Sequence, residues 1–289
     1  MKYKLKHKTQ YTYANEVHNY QSILCLQPLN SSKQICKNFK LVIEPKPSKI
    51  YSRTDYFGNI QHYFSLHESH KSLKVTVTSE IEVLINNVQL FNTITCEEAR
   101  QRFQTDHALK VQVLLYQLPS QFISWDDEIV AFAETCLIPS KPLFEGILDL
   151  IQKIFTEFKF KSGSTNVNTP LKTVLKERKG VCQDFSHLAI ASLRSVGIPA
   201  RYVSGYIETL PPKGKVKLEG SDASHAWISV YIPEMGWCEF DPTNNMIPQQ
   251  RHIITAYGRD FADVSPMKGI IFSSGDHKVK VEVDVIPLV

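Results

Sequence analysis

The hydrophobic pattern of this chain changes near residue 95 from one typical of strands to one typical of helices. This change limits the folds that the chain can adopt. Up to about residue 93, short runs of β-branched and aromatic residues stand between turn signals, which is typical of strands. From about residue 97, apolar residues recur at the spacing of a helix. We therefore predict an N-terminal β-rich domain over residues 1–95 and a second domain over residues 96–289.

The first region is predicted to be all β. Its strand-like runs include YKLKHKTQYTY, KNFKLVIEP, IQHYFSL and LKVTVTSEIEVLI, and turn signals such as PLNSS, EPKPS and FGN fall between them. No window of this region has a convincing helical period. We expect six or seven strands here.

The second region is predicted to contain helices followed by strands. Helical patterns occupy CEEARQRF, DDEIVAFAETCLI, KPLFEGILDLIQKIFTEF and QDFSHLAIASLRSV, and the last of these is stopped by Gly197 and Pro199. Strand patterns then occupy ARYVSGYIET, HAWISVYIP, GWCEFDP, KGIIFSS and HKVKVEVDVIP. This order predicts an α+β fold rather than a doubly wound sheet.

The charge balance argues against some classes of partner. The 33 basic and 29 acidic residues give a net charge of +4, and the basic residues are scattered, so neither nucleic acid nor an anionic membrane is an expected partner. The N-terminal stretch lacks the continuous apolar run of a secretory signal, and no segment approaches the roughly 20 apolar residues of a membrane helix. We therefore expect a cytoplasmic protein.

Six cysteines are spread along the chain without a CxxC pair, at positions 25, 36, 96, 136, 182 and 238. Zinc sites use closely spaced ligand pairs, and disulfide-stapled domains are denser in cysteine. We expect most of these cysteines to be reduced, partly buried side chains, and we expect neither a metal nor a cofactor. A metalloprotein built from the other cysteines and the ten histidines is an alternative that the spacing disfavours.

Cys182 differs from the other cysteines because it stands at the start of a predicted buried helix. Unpaired N–H groups and the positive end of the helix dipole favour a thiolate at such a place. Lys179 and Gly180 make the approach to the helix basic and flexible, and the first N–H groups could also stabilise an oxyanion. Cys182 is thus a candidate nucleophile, with a structural cysteine as the alternative.

His225 opens a predicted strand whose side chains alternate between two faces. One face is apolar and suits a core; it carries Ala226, Ile228, Val230 and Ile232. His225 and Trp227 lie on the other face, where the imidazole would be available to a cleft. Taken alone, a histidine in this position is more often an ordinary, partly exposed residue.

Asp241 closes the strand WCEFD just before Pro242, at a strand end where functional side chains commonly collect. Its carboxylate could accept the second ring N–H of His225, which would fix the tautomer and stabilise the imidazolium. A turn-initiating Asp-Pro pair is the alternative interpretation.

The turn PEMG between these two strands tests the pairing of the histidine with the carboxylate, because loop length sets which side chains share a face. A four-residue loop would place Asp241 on the face opposite His225. The hypothesis therefore requires a loop of three or five residues, or a bulge. With Tyr231 opposite Trp237, Trp227 lies opposite Asp241, and His225 becomes the diagonal neighbour of the carboxylate.

The segments RKGVCQDFSHLAIASLRSVGIPARYVSGY and SDASHAWISVYIPEMGWCEFDPTNN resemble the core of bacterial transglutaminase-like cysteine enzymes, with the family's Cys, His, Asp order. The N-terminal β region is similar to the domain that precedes this core in many bacterial members. The resemblance implies a papain-like α+β core in which the nucleophile's helix packs on an antiparallel sheet. It also implies that Cys182, His225 and Asp241 act as nucleophile, base and orienter.

These residues and the resemblance predict acyl transfer on a peptide or carboxamide through a thioester. Release to water would make the protein a peptidase or amidase, which is our leading hypothesis, and release to an amine would make it a transglutaminase. The same three residues serve both outcomes. The alternative from another class is a catalytically silent member that binds a peptide or a partner protein.

Overall fold

The computed structural model describes residues 1–84, 93–209, 220, 222–272 and 275–288. Its first part contains six strands: β1 (Lys2–Val17), β2 (Asn19–Leu24), β3 (Gln34–Glu44), β4 (Ile50–Thr54), β5 (Ile60–Leu66) and β6 (His70–Val83). Along most of β1, alternate residues are buried, as expected when one face of a strand packs on a core. The prediction of an all-β region with six or seven strands is confirmed.

The helices follow this region in the chain, and the last of them lies among the later strands. They are α1 (Cys96–Thr105), α2 (His107–Val113), α3 (Asp127–Glu134), α4 (Leu143–Glu157), α5 (Leu171–Glu177), α6 (Cys182–Ser195) and α7 (Phe261–Val264), with a 3-10 turn at Leu114–Tyr116. The four predicted helices correspond to α1, α3, α4 and α6. The short helices α2, α5 and α7 were not predicted, because two turns or fewer leave little periodic signal.

The remaining strands are β7 (Lys159–Phe160), β8 (Lys179–Gly180), β9 (Ala200–Ile207), β10 (Ala223–Ile232), β11 (Gly236–Phe240), β12 (His252–Gly258), β13 (Met267–Phe272) and β14 (His277–Leu288). Four of them form an antiparallel sheet in the order β11-β10-β9-β12. We call this the central sheet. The α+β class is confirmed, with helices and antiparallel strands in one core.

The last two strands return to the N-terminal region. They complete two four-stranded sheets, in the orders β14-β1-β6-β3 and β13-β2-β5-β4, and apolar residues from both sheets form a shared core between them. The division into residues 1–95 and 96–289 stays a prediction, and it places β13 and β14 with the second part. Ser273 and Ser274, the end of the predicted strand KGIIFSS, lie outside the described residues.

The central sheet is covered on both faces. The apolar face of β10 packs on the helices, with Ala226, Ile228, Val230 and Ile232 all in the largest hydrophobic cluster. The opposite face packs on the N-terminal region, where Trp227 contacts Leu29 in a smaller cluster. The sequence pattern predicts that the face of β10 beside His225 is open to a cleft. The structure differs, because the N-terminal region packs against this face.

Two buried amide side chains tie the N-terminal region to β12. Gln34 binds both the N–H and the carbonyl of Ile254, at 2.8 Å each. Asn59 does the same for Tyr257, at 2.8 and 2.7 Å. Each side-chain amide thus makes the two hydrogen bonds that a neighbouring strand would make. It satisfies backbone groups that would otherwise be buried without a partner.

Candidate active site

Cys182 is the first residue of α6, as the sequence predicted. The helix behind it is buried almost completely from Asp184 to Arg194, whereas Cys182 itself is partly exposed. The helix packs mainly against β10, α3 and β9. The thiol therefore sits at the accessible end of a rigid element, next to the unpaired N–H groups of the first helical turn.

The start of α6 is fixed by Asp184. Its Oδ2 accepts the backbone N–H of Val181 at 2.7 Å and the hydroxyl of Thr165 at 2.6 Å. Gly180 leaves the space for this carboxylate, because a Cβ at that position would lie 2.8 Å from the same oxygen. The conformation of the chain just before Cys182 is therefore set by a side chain two residues after it.

The hairpin between β10 and β11 has the register that the hypothesis required. Tyr231 pairs with Trp237 and Ile232 pairs with Gly236, so that three residues form the loop. Glu234, in this loop, has φ of 70° and Gly236 has φ of 74°, and such left-handed residues close tight hairpins. The predicted pairing is confirmed, and Asp241 follows β11 on the face that carries His225.

Asp241 and His225 are hydrogen-bonded. The Nε2 of His225 lies 2.7 Å from Oδ2 of Asp241, and both side chains are buried, at 7% and 0% exposure. The predicted contact between the carboxylate and the imidazole is therefore present. Because Asp241 engages Nε2, Nδ1 is the ring nitrogen left for another partner.

Cys182 also acts on His225, through its effect on the pKa of the imidazole. Burial by itself lowers the pKa of His225, but the hydrogen bond to Asp241 and the proximity of Cys182 outweigh it and raise the pKa to about 10. The imidazolium form is therefore favoured at neutral pH when a thiolate stands beside it. The structure brings together all three residues that the sequence singled out, and their catalytic roles stay predictions.

The carboxylate of Asp241 is surrounded by donors. Its Oδ1 accepts the backbone N–H groups of Thr243 and Asn244, and its Oδ2 also accepts the side-chain amide of Asn244 at 2.8 Å. Burial raises the pKa of Asp241, but hydrogen bonds from His225 and His252 outweigh it and hold that pKa well below its usual range. Asp241 is therefore ionised across the physiological range.

Sequence reasoning missed His252, which also contacts Asp241. Its Nε2 lies 3.1 Å from the same Oδ2 that His225 uses. His252 begins β12, on the far side of the central sheet from β11, and a chain segment of ten residues separates it from Asp241. No local motif marks such a residue, and only its apolar strand context HIITAYG could have placed it in a sheet.

His225, Asp241 and His252 also form a group that could hold a metal ion, because their ligand atoms all lie within 4.8 Å of one another. Two histidines and a carboxylate are a ligand set that transition metals use. Here, however, both Nε2 atoms already face Oδ2 at hydrogen-bonding distance. A metal would have to replace both hydrogen bonds, so the geometry favours the hydrogen-bonded arrangement. The sequence spacing gave no sign of this group.

Two family models match the chain. Residues 3–82 match the bacterial transglutaminase-like N-terminal region, and residues 131–242 match the transglutaminase-like superfamily. The second match contains Cys182, His225 and Asp241.

Among the described residues, none of the helices is both long and apolar enough to cross a membrane.

Similar proteins come from several bacteria. An uncharacterised protein of Mycobacterium tuberculosis is 37% identical over 99% of this chain and 93% of its own length. The protein-glutamine gamma-glutamyltransferase of Pseudomonas aeruginosa is 38% identical over 74 residues, which are 25% of this chain and 11% of that protein.

One solved structure covers the whole chain. The crystal structure of a "putative cysteine protease" from Cytophaga hutchinsonii has a TM-score of 0.77 at 23% identity, over 100% of this chain and 91% of that one. At this identity the likeness concerns the fold, and it extends to the papain-like core with its preceding β region. Together with the two family matches, it shows that the chain belongs to the transglutaminase-like superfamily and carries the bacterial N-terminal region.

Proposed function

We propose that this protein is a cysteine-dependent acyl-transfer enzyme that acts on peptides or carboxamides. Cys182 would be the nucleophile, His225 its base and Asp241 the group that orients the histidine. One observation carries the proposal: the buried imidazole of His225 has Asp241 at 2.7 Å from Nε2, and Cys182 is the other residue whose proximity raises its pKa. This is the arrangement that activates a thiol.

The proposed first step begins from a thiolate on Cys182 and an imidazolium on His225. The sulfur attacks the substrate carbonyl, a C–S bond forms, and the C–N bond breaks as His225 gives its proton to the leaving amine. Asp241 holds the imidazole in place while it carries the positive charge. The neutral imidazole then takes a proton from water, whose oxygen forms a C–O bond as the C–S bond breaks; the carboxylic acid leaves, and the thiolate and imidazolium are restored.

The start of α6 supports the transition state as well as the nucleophile. The first backbone N–H groups of a helix have no acceptor within the helix, and the helix dipole is positive at this end. The N–H of Cys182 is therefore a candidate donor to the oxyanion that forms when sulfur adds to the carbonyl.

We propose hydrolysis as the outcome, with transamidation as the alternative. Hydrolysis needs only water as acceptor, whereas transamidation needs a second site that binds an amine and keeps water away. The name of the Pseudomonas aeruginosa relative describes glutamyl transfer, and this favours transamidation.

The substrate that we propose is a peptide or protein. The compartment that we propose is the cytoplasm, where free cysteines persist.

The test is a screen of peptide and glutamine-amide libraries with and without an added amine. We expect wild-type protein to release ammonia or a shortened peptide, and Cys182→Ala to release neither. Amine incorporation that exceeds hydrolysis would replace the peptidase proposal with the transglutaminase one. Equal signals from both proteins would reject the enzyme and leave a binding protein.

Selective alkylation separates an enzyme from a silent binding member without a known substrate. Cys182 and Cys36 are the two partly exposed cysteines, and the other four are buried. Burial raises the pKa of Cys36, so it is a matched control. Iodoacetamide at pH 7 should label Cys182 much faster than Cys36, and equal labelling would favour the silent alternative.

A further inference from the structure

Two buried imidazoles share one oxygen of Asp241. His225 approaches Oδ2 at 2.7 Å and His252 approaches it at 3.1 Å, each through Nε2. An ionised carboxylate only accepts hydrogen bonds, so each ring must present an N–H to it. The Nδ1 of His252 is buried and has no hydrogen-bond partner within the part of the chain described, which agrees with a proton on Nε2 and a bare Nδ1.

The orientation of His252 is restricted by packing. The residue is only 4% exposed, and its ring meets that of Trp227 edge to face, at 5.1 Å between centroids and 77° between planes. The same Trp227 ring stacks on His225, at 5.8 Å and 29°. Trp227 is completely buried, so it holds both imidazoles at fixed angles beside the carboxylate.

The N-terminal region fixes the strand that carries His252. Gln34, which is 1% exposed, binds the N–H and the carbonyl of Ile254, two residues further along β12. Its amide also donates to the carbonyl of Leu29 at 2.7 Å. All of these contacts are buried, where hydrogen bonds are not exchanged with water, so a displacement of Gln34 would be transmitted to His252.

We propose that His252 is a positioning residue of the active site: it orients the Asp241 carboxylate toward His225, and the N-terminal β region holds it in place through Gln34. This inference rests on the proposed function, because it assigns Asp241 a role to be supported. It also gives the N-terminal region a part in catalysis that needs no contact with substrate.

The first test measures how fast iodoacetamide alkylates Cys182 at pH 7, with Cys36 in the same molecule as the reference. His252→Phe keeps the ring volume and removes the donor, and we expect alkylation of Cys182 to slow about 10-fold, the effect of one lost hydrogen bond to a charged group. His252→Gln retains an N–H donor and should restore most of the rate. His62→Phe, at a buried histidine of β5, is the control and should leave the rate unchanged.

A second readout needs neither a variant nor a substrate. NMR spectra of protein with ¹⁵N-labelled histidine distinguish which ring nitrogen carries the proton. We expect His252 to carry it on Nε2 in the folded protein. A proton found on Nδ1 alone would overturn the inference, because Nε2 could not then donate to Asp241.

The link to Gln34 is tested by a double variant. Gln34→Ala should slow the alkylation of Cys182 in the same direction as His252→Phe, and the two together should be no slower than His252→Phe alone, since one acts through the other. Thermal unfolding of each variant identifies any loss of folded protein. Fully additive effects would overturn the link.

Turnover measurements separate this inference from the proposed function. If Cys182→Ala is inactive and His252→Phe lowers kcat with little change in KM, both stand. If Cys182→Ala is inactive and folded His252→Phe has wild-type kcat, only the role of His252 fails. If Cys182→Ala retains full activity, the proposed function itself fails.

Discussion

His225 is hydrogen-bonded to Asp241 through Nε2, with 2.7 Å between Nε2 and Oδ2. Burial lowers the pKa of His225, whereas this hydrogen bond raises it most and the proximity of Cys182 comes next. The charge state of the imidazole therefore depends on two neighbours that can be removed separately.

The first prediction concerns these two neighbours. Asp241→Asn should lower the pKa of His225 more than Cys182→Ala does, because the larger stabilising contact is lost and burial then dominates. NMR titration of His225 in the two variants and the wild type measures this order. The reverse order, or no change in either variant, would contradict the assignment of Asp241 as the main support of the imidazolium.

The second prediction concerns the pH dependence of activity. The pKa of His225 is raised to about 10, above its usual 6.5, so the protonated imidazole is present at neutral pH and is lost as the pH rises through about 10. Because His225 gives its proton to the leaving amine, kcat should fall on this basic side. A pH–rate profile checks it, and a decline already complete near pH 7 would show that another group limits the rate.

The third prediction concerns Gly205, which pairs with His225 in the central sheet. A Cβ on Gly205 would collide with the carbonyl oxygen of Ile253 and come within 2.6 Å of the Trp227 ring. Gly205→Ala should therefore cost about 3 kcal/mol in the free energy of unfolding, as overpacking does, and should also reduce activity.

Urea unfolding measures this cost. Ser224→Ala, on the exposed neighbouring position of β10, is the control and should change the free energy of unfolding by less than about 0.5 kcal/mol. Equal stability of the two variants would mean that Trp227 and β12 can move apart without cost.

The fourth prediction concerns the start of α6. Asp184→Ala removes the acceptor for the N–H of Val181 and the hydroxyl of Thr165, and it should destabilise the protein by about 1–2 kcal/mol, the usual value of a lost helix cap. The alkylation of Cys182 should slow as well, since the first turn of the helix is no longer fixed. Asp184→Asn keeps an acceptor oxygen, so it should lose less stability and less of the alkylation rate than Asp184→Ala.

The fifth prediction concerns metal ions. The oxygens of Asp241 are already engaged by His225, His252, Asn244 and two backbone N–H groups. Treatment with a chelator should therefore leave activity unchanged. Activity that disappears on chelation and returns with a divalent cation would favour the metal-binding interpretation of the three clustered residues.

The parts of this site that the sequence predicts are those governed by short-range rules. Strand parity and loop length connect Tyr231 and Trp237 to the position of Asp241, and helical period with a glycine stop defines α6 around Cys182. Each of these rules involves residues that are close in the chain. They were sufficient to pair the imidazole with the carboxylate and to place Cys182 at a helix start, whereas the family resemblance implied that the three residues form one site.

The parts that the sequence does not predict depend on contacts between distant segments. His252 reaches Asp241 from the opposite edge of the central sheet, and Gln34 meets Ile254 across 220 residues of chain. An apolar strand pattern does not specify its partner in three dimensions. For the same reason, the face of β10 that carries His225 was expected to be open, whereas the N-terminal region covers it.

The pairing of β1 with β14 has a consequence for synthesis on the ribosome. β1 lies between β6 and β14, and Lys2 pairs with Leu288, so β1 has one of its two neighbours missing until β14 has been made. Until then its outer edge presents unpaired backbone groups to which other chains can pair. Covering this edge during translation would therefore limit aggregation of the incomplete chain.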